Sequence, residues 1–339
     1  MTDTNRRVIF AKRPEGWVTP DCFRVEDAPI PELADGDVLT RNIVMSVDPY
    51  MRGRMSDRKS YAAGFALGET MNAGAVGEVI ASRNAKVPVG AVVNGMLGWE
   101  THTLVKGGAG LMPVDAKAAP LSYYLGIFGM PGFTGYYGLL NIGEPKAGET
   151  VYVSAASGAV GQVVGQVAKI KGCRVVGSAG DDEKCAWAME SCGYDVCFNY
   201  KKVDSYAAAL REHCPDGIDV YFENVGGEML DAVLANINPY ARIALCGMIS
   251  QYNLTKPEGI TNIQSLLINR AMIRGFIISE HFDGLPQFIA DMSGWMKQGK
   301  LKYRETIAEG IDNAPAAFIG MLKGENFGKQ IVRLGPDPA

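Results

Sequence analysis

A run of small residues between an apolar strand and a helical pattern is the feature of this sequence best suited to chemistry. Val151-Tyr-Val-Ser-Ala-Ala-Ser-Gly-Ala-Val-Gly161 carries Gly158 and Gly161 at the spacing of the last two glycines of a dinucleotide fingerprint, with Ala156 where the first would stand. Small residues are needed there because a pyrophosphate must approach backbone N–H groups at a helix N-terminus, where the helix dipole also favours an anion. A bare G-x-x-G carries little information. Here it lies between strand and helix and opens an alternating series, the context the motif requires. A merely structural turn is the competing reading.

The next strand bears on which dinucleotide. An NAD enzyme usually ends that strand in Asp or Glu, about 20 residues beyond the fingerprint, to bind the ribose 2′-hydroxyl. Here the strand at 174–177 ends in Ser178-Ala179-Gly180, neutral and small, and Lys184 follows. That arrangement leaves room for a 2′-phosphate and offers it a cation, so NADP(H) is expected. Asp181, Asp182 and Glu183 argue the other way unless they cap the following helix. No metal is expected, because zinc needs N or S donors that commonly come in close sequence pairs. The three histidines, His102, His213 and His281, are isolated, and the 7 cysteines form no C-x-x-C pair. Carbonyl polarisation and proton supply then fall to hydroxyls, backbone amides or the cofactor, and the 14 tyrosines are suited to both tasks.

These residues need a scaffold, and 339 residues have room for about two domains. Apolar residues at 47% and charged residues at 21% exclude wholesale disorder, and a net charge of −4 argues against a nucleic-acid partner. The first residues lack the apolar core of a signal peptide, and an odd number of unpaired-looking cysteines suits reduced thiols, so a cytoplasmic protein is expected. The uncharged stretch 118–143 is interrupted by Pro120, Pro131 and several glycines. A lipid-exposed helix does not tolerate these, so the stretch reads as buried core plus turns and not as a membrane span.

Segments 38–47, 75–81 and 91–97 are β-prone and bounded by Gly, Pro, Asp and Asn, with no long amphipathic helix nearby. After about residue 120 the pattern changes to strands alternating with helical stretches, the signature of βαβ units and a parallel sheet. From about residue 301 short strands return with one helical piece at 314–323. The expected architecture is a β-rich domain, a doubly wound α/β domain and a tail that rejoins the first.

Taken together, these residues resemble a family. Met45-Ser-Val-Asp-Pro-Tyr-Met-Arg52, Gly129-Met-Pro-Gly-Phe-Thr-Gly135, Ala155-Ala-Ser-Gly-Ala-Val-Gly161, Asn199-Tyr-Lys201, Glu223-Asn-Val-Gly-Gly227, Cys246-Gly-Met-Ile-Ser-Gln-Tyr-Asn253 and Asn326-Phe-Gly-Lys329 occur in order across nearly the whole chain. The sequence is thereby similar to the zinc-independent medium-chain dehydrogenase/reductases. Within them it resembles the branch of prostaglandin reductases (leukotriene B4 12-hydroxydehydrogenase), alkenal double-bond reductases and bacterial curcumin reductases, the last most of all. The resemblance implies an α/β fold: a GroES-like β-rich catalytic domain (residues 1–125 with 300–339) and a doubly wound, parallel-sheet Rossmann domain for NADP(H) (residues 126–299). It also implies that Gly158, Ala159, Val160, Gly161 and Gln162 meet the pyrophosphate, and that Lys184 and Tyr200 bind the 2′-phosphate. Asn224 then sits over the cofactor, while Cys246, Gly247, Met248, Ile249 and Ser250 line the ribose and nicotinamide. Phe276, Ile277 and Ile278 flank the ring, and Asn326 reaches the cofactor from the tail. Met45 and Glu69 stand where zinc relatives carry ligands, in line with the missing donor set.

The reaction so implied is NADPH-dependent reduction of a carbon–carbon double bond conjugated to a carbonyl, with hydride passing to the β-carbon and charge building on the carbonyl oxygen. That oxygen needs a donor already in place. Tyr252 is the candidate by the family's motif, with the α-carbon proton coming from Tyr252 or from water; a packed tyrosine tied to the backbone is the plainer reading. Tyr50 and Tyr61 are candidates for lining the substrate site and are equally suited to structural packing. A quinone reductase and a non-catalytic NADPH-binding sensor or structural protein are the alternatives. Relatives suggest a homodimer joined through a late strand. The apolar stretch 272–278 suits that role, and a buried core strand explains it as well.

Overall fold

A computed structural model describes residues 4–338; residues 1–3 and 339, the outer ends of the first expected domain, lie outside the described residues. The chain divides into two units. One is formed by residues up to Gly129 and from Glu305 onward, the other by Met130–Arg304.

The first unit starts with an antiparallel pair, β1 (Thr4–Phe10) and β2 (Phe23–Pro29). There follow β3 (Val38–Ser46), α1 (Met51–Arg54), β4 (Asn72–Ser82), β5 (Val92–Gly98), β6 (His102–Val105) and β7 (Met112–Pro113). The strands expected at 38–47, 75–81 and 91–97 are thus present, the first one residue shorter, the second extended at both ends and the third shifted by one residue. One face of this sheet packs on a core that includes Val8, Met45, Met71 and Leu97, while Val44 and Val76 join a second cluster with Leu121 and Leu125.

The second unit opens with α2 (Met130–Tyr137), continues as a π-turn through Gly138–Gly143 and then enters β8 (Thr150–Val153). Stretch 118–143, expected as core plus turns, is therefore mostly helical, with a 3₁₀ turn at Leu121–Leu125 before it. Pro131 stands in the first turn of α2, where a missing N–H loses no intrahelical bond. The helix then packs on aromatic neighbours, Phe133 and Tyr136 against Phe288 at ring distances of 5.1 and 5.5 Å. Alternation proceeds through α3 (Gly161–Ile170), β9 (Arg174–Ala179), α4 (Asp182–Cys192), β10 (Val196–Asn199), α5 (Tyr206–His213), β11 (Ile218–Glu223) and α6 (Gly227–Leu234). It ends with β12 (Ile237–Leu245), α7 (Gln264–Asn269), β13 (Met272–Gly275) and α8 (Leu285–Lys297). All six strands are parallel in the order β10-β9-β8-β11-β12-β13. This is the doubly wound arrangement whose order reverses between β8 and β11, and ligands bind at the strand carboxyl ends beside such a switch point.

The tail supplies β14 (Glu305–Glu309), α9 (Ala314–Leu322) and β15 (Lys329–Arg333). It belongs to the first unit: β15 pairs antiparallel with β3 and parallel with β14. Phe318 of α9 meets Trp99 and Phe23 edge-on, at ring distances of 6.0 and 6.3 Å. A tail built this way completes the core of the first unit.

Candidate active site

At the switch point the last residue before the phosphate turn meets the last residue of β11. Ser154 and Glu223 are both fully buried. The Ser154 hydroxyl donates to Glu223 Oε1 at 3.1 Å and accepts from the Asn224 N–H at 3.0 Å and from the Tyr221 hydroxyl at 3.1 Å. The Asn224 side chain returns the contact, donating from Nδ2 to the Ser154 carbonyl at 2.8 Å. Glu223 Oε1 also takes the Val225 N–H, and the Glu223 carbonyl takes the N–H groups of Cys246 and Gly247 at 3.0 and 3.1 Å. Oε2 has no hydrogen-bond partner among the described residues. Burial pushes this carboxyl above its usual range, because a low-dielectric interior disfavours the charged form. Neither Ser154 nor Glu223 is among the sequence candidates; the available signal was an acid closing an otherwise apolar strand.

From Ser154 the chain turns through Ala155, held at φ 52°, and starts α3 at Gly161. A side chain at 161 would collide with the Ala155 carbonyl, 2.3 Å from where its Cβ would stand. The Tyr194 hydroxyl secures the same spot by donating to the Gly161 carbonyl at 2.7 Å. Gly158, Ala159 and Val160 are half-buried at the helix start, where the first N–H groups have no intrahelical acceptor. Gln162 differs from its neighbours. Its N–H donates to the Gly158 carbonyl, and its side-chain amide exchanges two bonds with the Arg304 backbone at 3.0 and 3.2 Å. Its side chain is thereby tied to the Arg304 backbone.

Beyond β9 the acids have local work. Asp181 caps α4 by accepting the Glu183 N–H at 2.8 Å, Asp182 takes Asn199 Nδ2 at 2.7 Å and pairs with Lys202, and Glu183 meets Arg304 at 3.3 Å. Two lysines and a phenol gather beside them. The Tyr200 hydroxyl and the Lys201 stem both lie against Gly180. Burial holds the Lys184 ammonium below its usual range, and the charge of Lys201 adds to this against the pull of Asp181. Lys201 was quoted in a motif but given no role by the sequence.

The segment after β12 is laced onto the end of β11. Ile249 N–H donates to the Asn224 carbonyl at 3.1 Å, and Ser250 gives the Val225 carbonyl its N–H at 3.0 Å and its hydroxyl at 2.7 Å. Gly226, at φ 77°, permits this approach, since a Cβ there would run into the Met248 side chain. Burial pushes the Cys246 thiol up to about 12, which makes it a neutral lining group. Tyr252, half-buried, accepts the Met248 N–H on its hydroxyl at 3.2 Å; the plainer reading of a backbone-tied tyrosine thus has a concrete form. Half-buried Phe276, Ile277 and Ile278 follow the edge strand β13, with the Phe276 ring 6.0 Å from that of Tyr137.

Three candidates belong to the other unit. Tyr50 precedes α1 and is half-buried; burial raises its phenol, the Asp48 carboxylate adds to the rise, and Arg54 hydrogen-bonds it in opposition. Tyr61 is exposed. Asn326 donates from Nδ2 to the Gly328 carbonyl at 2.8 Å within its own turn. Met45 is wholly inside the apolar core of that unit, and Glu69 is exposed.

The acid at the switch point makes two expectations measurable. Glu223→Ala leaves the Val225 N–H and the Ser154 hydroxyl without their acceptor and weakens NADPH binding about tenfold, read by fluorescence titration; Glu223→Gln, neutral and of the same shape, stays near wild type. A carboxyl raised in the folded state gives its full stability below the ordinary carboxyl range and loses it as pH rises. Wild type should therefore lose stability relative to Glu223→Gln in urea unfolding as pH rises above the ordinary carboxyl range, and a constant difference rules out the raised carboxyl.

Comparison with known proteins gives this geometry a context. Two family profiles match, one described as the N-terminal domain of oxidoreductase over residues 6–114 and one as zinc-binding dehydrogenase over residues 159–294. The chain is 44% identical to the NADPH-dependent curcumin reductase of Escherichia coli (strain K12), covering 98% of each. It is likewise 44% identical to the 2-alkenal reductase (NADP(+)-dependent) of Nicotiana tabacum, covering 97% of each. The crystal structure of CurA in complex with NADPH from Vibrio vulnificus matches with a TM-score of 0.93 at 46% identity, over 98% of this chain and 100% of that one. The zinc of the second description finds no ligand set: no three His, Cys, Asp or Glu side chains converge among the described residues. On sequence and fold together, the chain belongs to the curcumin reductase and 2-alkenal reductase family of medium-chain dehydrogenase/reductases.

Proposed function

We propose that this protein uses NADPH to reduce the carbon–carbon double bond of α,β-unsaturated ketones and aldehydes. The observation that carries the reading is the joining of a phosphate turn and a tyrosine-bearing segment through one buried contact at the sheet's switch point. NADPH, when bound, supplies the hydride that the β-carbon of the substrate receives. The chain's own residues hold and orient. Ala159, Val160 and Gly161 offer backbone amides to the pyrophosphate, Gly158, whose own N–H is held by the Ala155 carbonyl at 2.9 Å, gives it room, and Gln162 adjoins it; Lys184, Lys201 and Tyr200 take the 2′-phosphate. Asn224 and residues 246–250 hold the ribose and nicotinamide, with Phe276, Ile277 and Ile278 keeping water from the ring and Asn326 adding a contact from the tail. Tyr252, oriented by the Met248 N–H, donates to the carbonyl oxygen as negative charge develops there; Tyr50 and Tyr61 contact the body of the substrate. Donors fixed in advance are worth more than water at that moment, because they need no reorganisation.

The same reading extends to assembly and location. β13 is the outer strand of the parallel sheet, and three of its four residues are exposed. Leu267 and Ile268, on the helix before it, are 78% and 61% exposed. An open strand edge beside apolar side chains pairs readily with another strand, and we assign that place to a second copy of this chain. No helix among the described residues is long and apolar enough to cross a membrane, and all seven cysteines are free thiols. Both features suit a cytoplasmic enzyme.

Three measurements check the reading. Tyr252→Phe keeps NADPH affinity and loses about a hundredfold to a thousandfold in enone turnover; unchanged turnover removes Tyr252 from the mechanism. Lys184→Ala and Lys201→Ala each weaken NADPH roughly tenfold or more while NADH binding stays level, and equal losses for both nucleotides contradict the 2′-phosphate assignment. Leu267→Asp with Ile268→Asp shifts the species seen by light scattering from dimer to monomer; a wild-type monomer defeats the pairing.

A further inference from the structure

The first unit contains a buried charge pair that the proposed mechanism does not use. Lys329 opens β15, and Asp48 follows the end of β3; their side chains are 1% and 7% exposed, with Nζ 3.2 Å from Oδ1. The ammonium donates also to the Val47 and Gln330 carbonyls, both at 2.8 Å, so its three hydrogens have three partners. Asp48 takes the Ser46 hydroxyl on its other oxygen, and its carbonyl accepts the Met51 N–H at 3.2 Å to start α1. Glu305, opposite Lys329 in the sheet, adds a further carboxyl, anchored by the Ser122 hydroxyl at 2.7 Å. Burial lowers the Lys329 ammonium, and Asp48 opposes that shift.

Stability does not account for this arrangement. Taking two charges out of water costs more than their attraction commonly returns, and an apolar pair of similar volume usually holds a fold at least as well. What the pair does achieve is location. It joins two segments 282 positions apart in sequence, from Val47 to Lys329. On one side the bend at Asp48 sets the entry to α1 and so the place of Tyr50. On the other side Lys329 ends the turn that carries Asn326. That turn is fixed by Thr306, whose hydroxyl donates to the Phe327 carbonyl and accepts the Phe327 N–H, both at 2.8 Å.

We propose that Lys329 and Asp48 are a positioning pair for the double-bond reduction, holding Tyr50 for the substrate and Asn326 for the coenzyme in one register. This rests on the reductase reading above. The test compares Lys329→Met, Asp48→Leu and the double variant, with cinnamaldehyde as substrate. Each single variant lowers the urea midpoint, because one charge is left buried alone. The double variant recovers the midpoint, yet its KM for cinnamaldehyde and its Kd for NADPH each rise about tenfold, while kcat changes less than about threefold. A double variant with wild-type midpoint, KM and Kd overturns the proposal and leaves the pair structural. Should the double variant not fold, Asp48→Asn, which keeps the shape, is read the same way: raised KM and Kd support the pair, and wild-type values overturn it. Wild-type enzyme that does not turn over cinnamaldehyde defeats the reductase reading, and the NADPH titration then still reads the effect on Asn326 separately.

Discussion

One buried hydroxyl–carboxyl contact, Ser154 to Glu223, is the constraint on which the coenzyme half of the molecule depends. The Ser154 oxygen gives one hydrogen bond and receives two, so the hydroxyl is fully used. Through it the ends of β8 and β11 are fixed to each other, and through the Glu223 carbonyl the segment after β12 is fixed to both. Three loops that would otherwise wander at the edge of the sheet share a single anchor. The cost is a carboxyl without water and with one oxygen unpartnered, which the protein tolerates by favouring the protonated form.

The same economy governs charge at the other end of the coenzyme site. An acidic run beside the ribose end would repel a phosphate, yet Asp181, Asp182 and Glu183 are each drawn into a cap or an ion pair. Their charge is thereby turned toward the helix start, Lys202 and Arg304. Lys184 and Lys201 stand on the same side of β9, and the charge of Lys201 adds to the burial that lowers the Lys184 ammonium. The charge around the end of β9 thus depends on how the neighbouring acids are used as well as on which residue ends the strand.

Much of this was legible in the sequence, for identifiable reasons. Alternation of strands with helices, the glycine spacing at 158–161 and the neutral end of β9 are local signals, each carried by residues close together in the chain. They gave the parallel sheet, the turn and the phosphate preference. The helical course of 118–143 was missed because proline and glycine were weighed as breakers, when Pro131 stands in a first turn and the glycines are buried against neighbours. Ser154, Glu223, Lys201 and Lys329 were missed for another reason. Their roles come from partners on other strands or beyond the turn, and periodicity holds no information about which strand lies beside which. Gln162 is a further case: its amide also ties down a distant backbone, that of Arg304, which its place in the motif does not reveal.

The interrupted first unit has a consequence for how the chain comes into being. Its sheet lacks β15 and β14, and its aromatic core lacks Phe318, until residues 305–333 have been made. Synthesis delivers the whole inserted Rossmann unit before that point. Until then the β3 edge has no β15 to pair with and Asp48 has no Lys329. Order along the chain and order in the sheet thus part company: a strand made late stands beside β3, made early, with the whole parallel sheet produced in between.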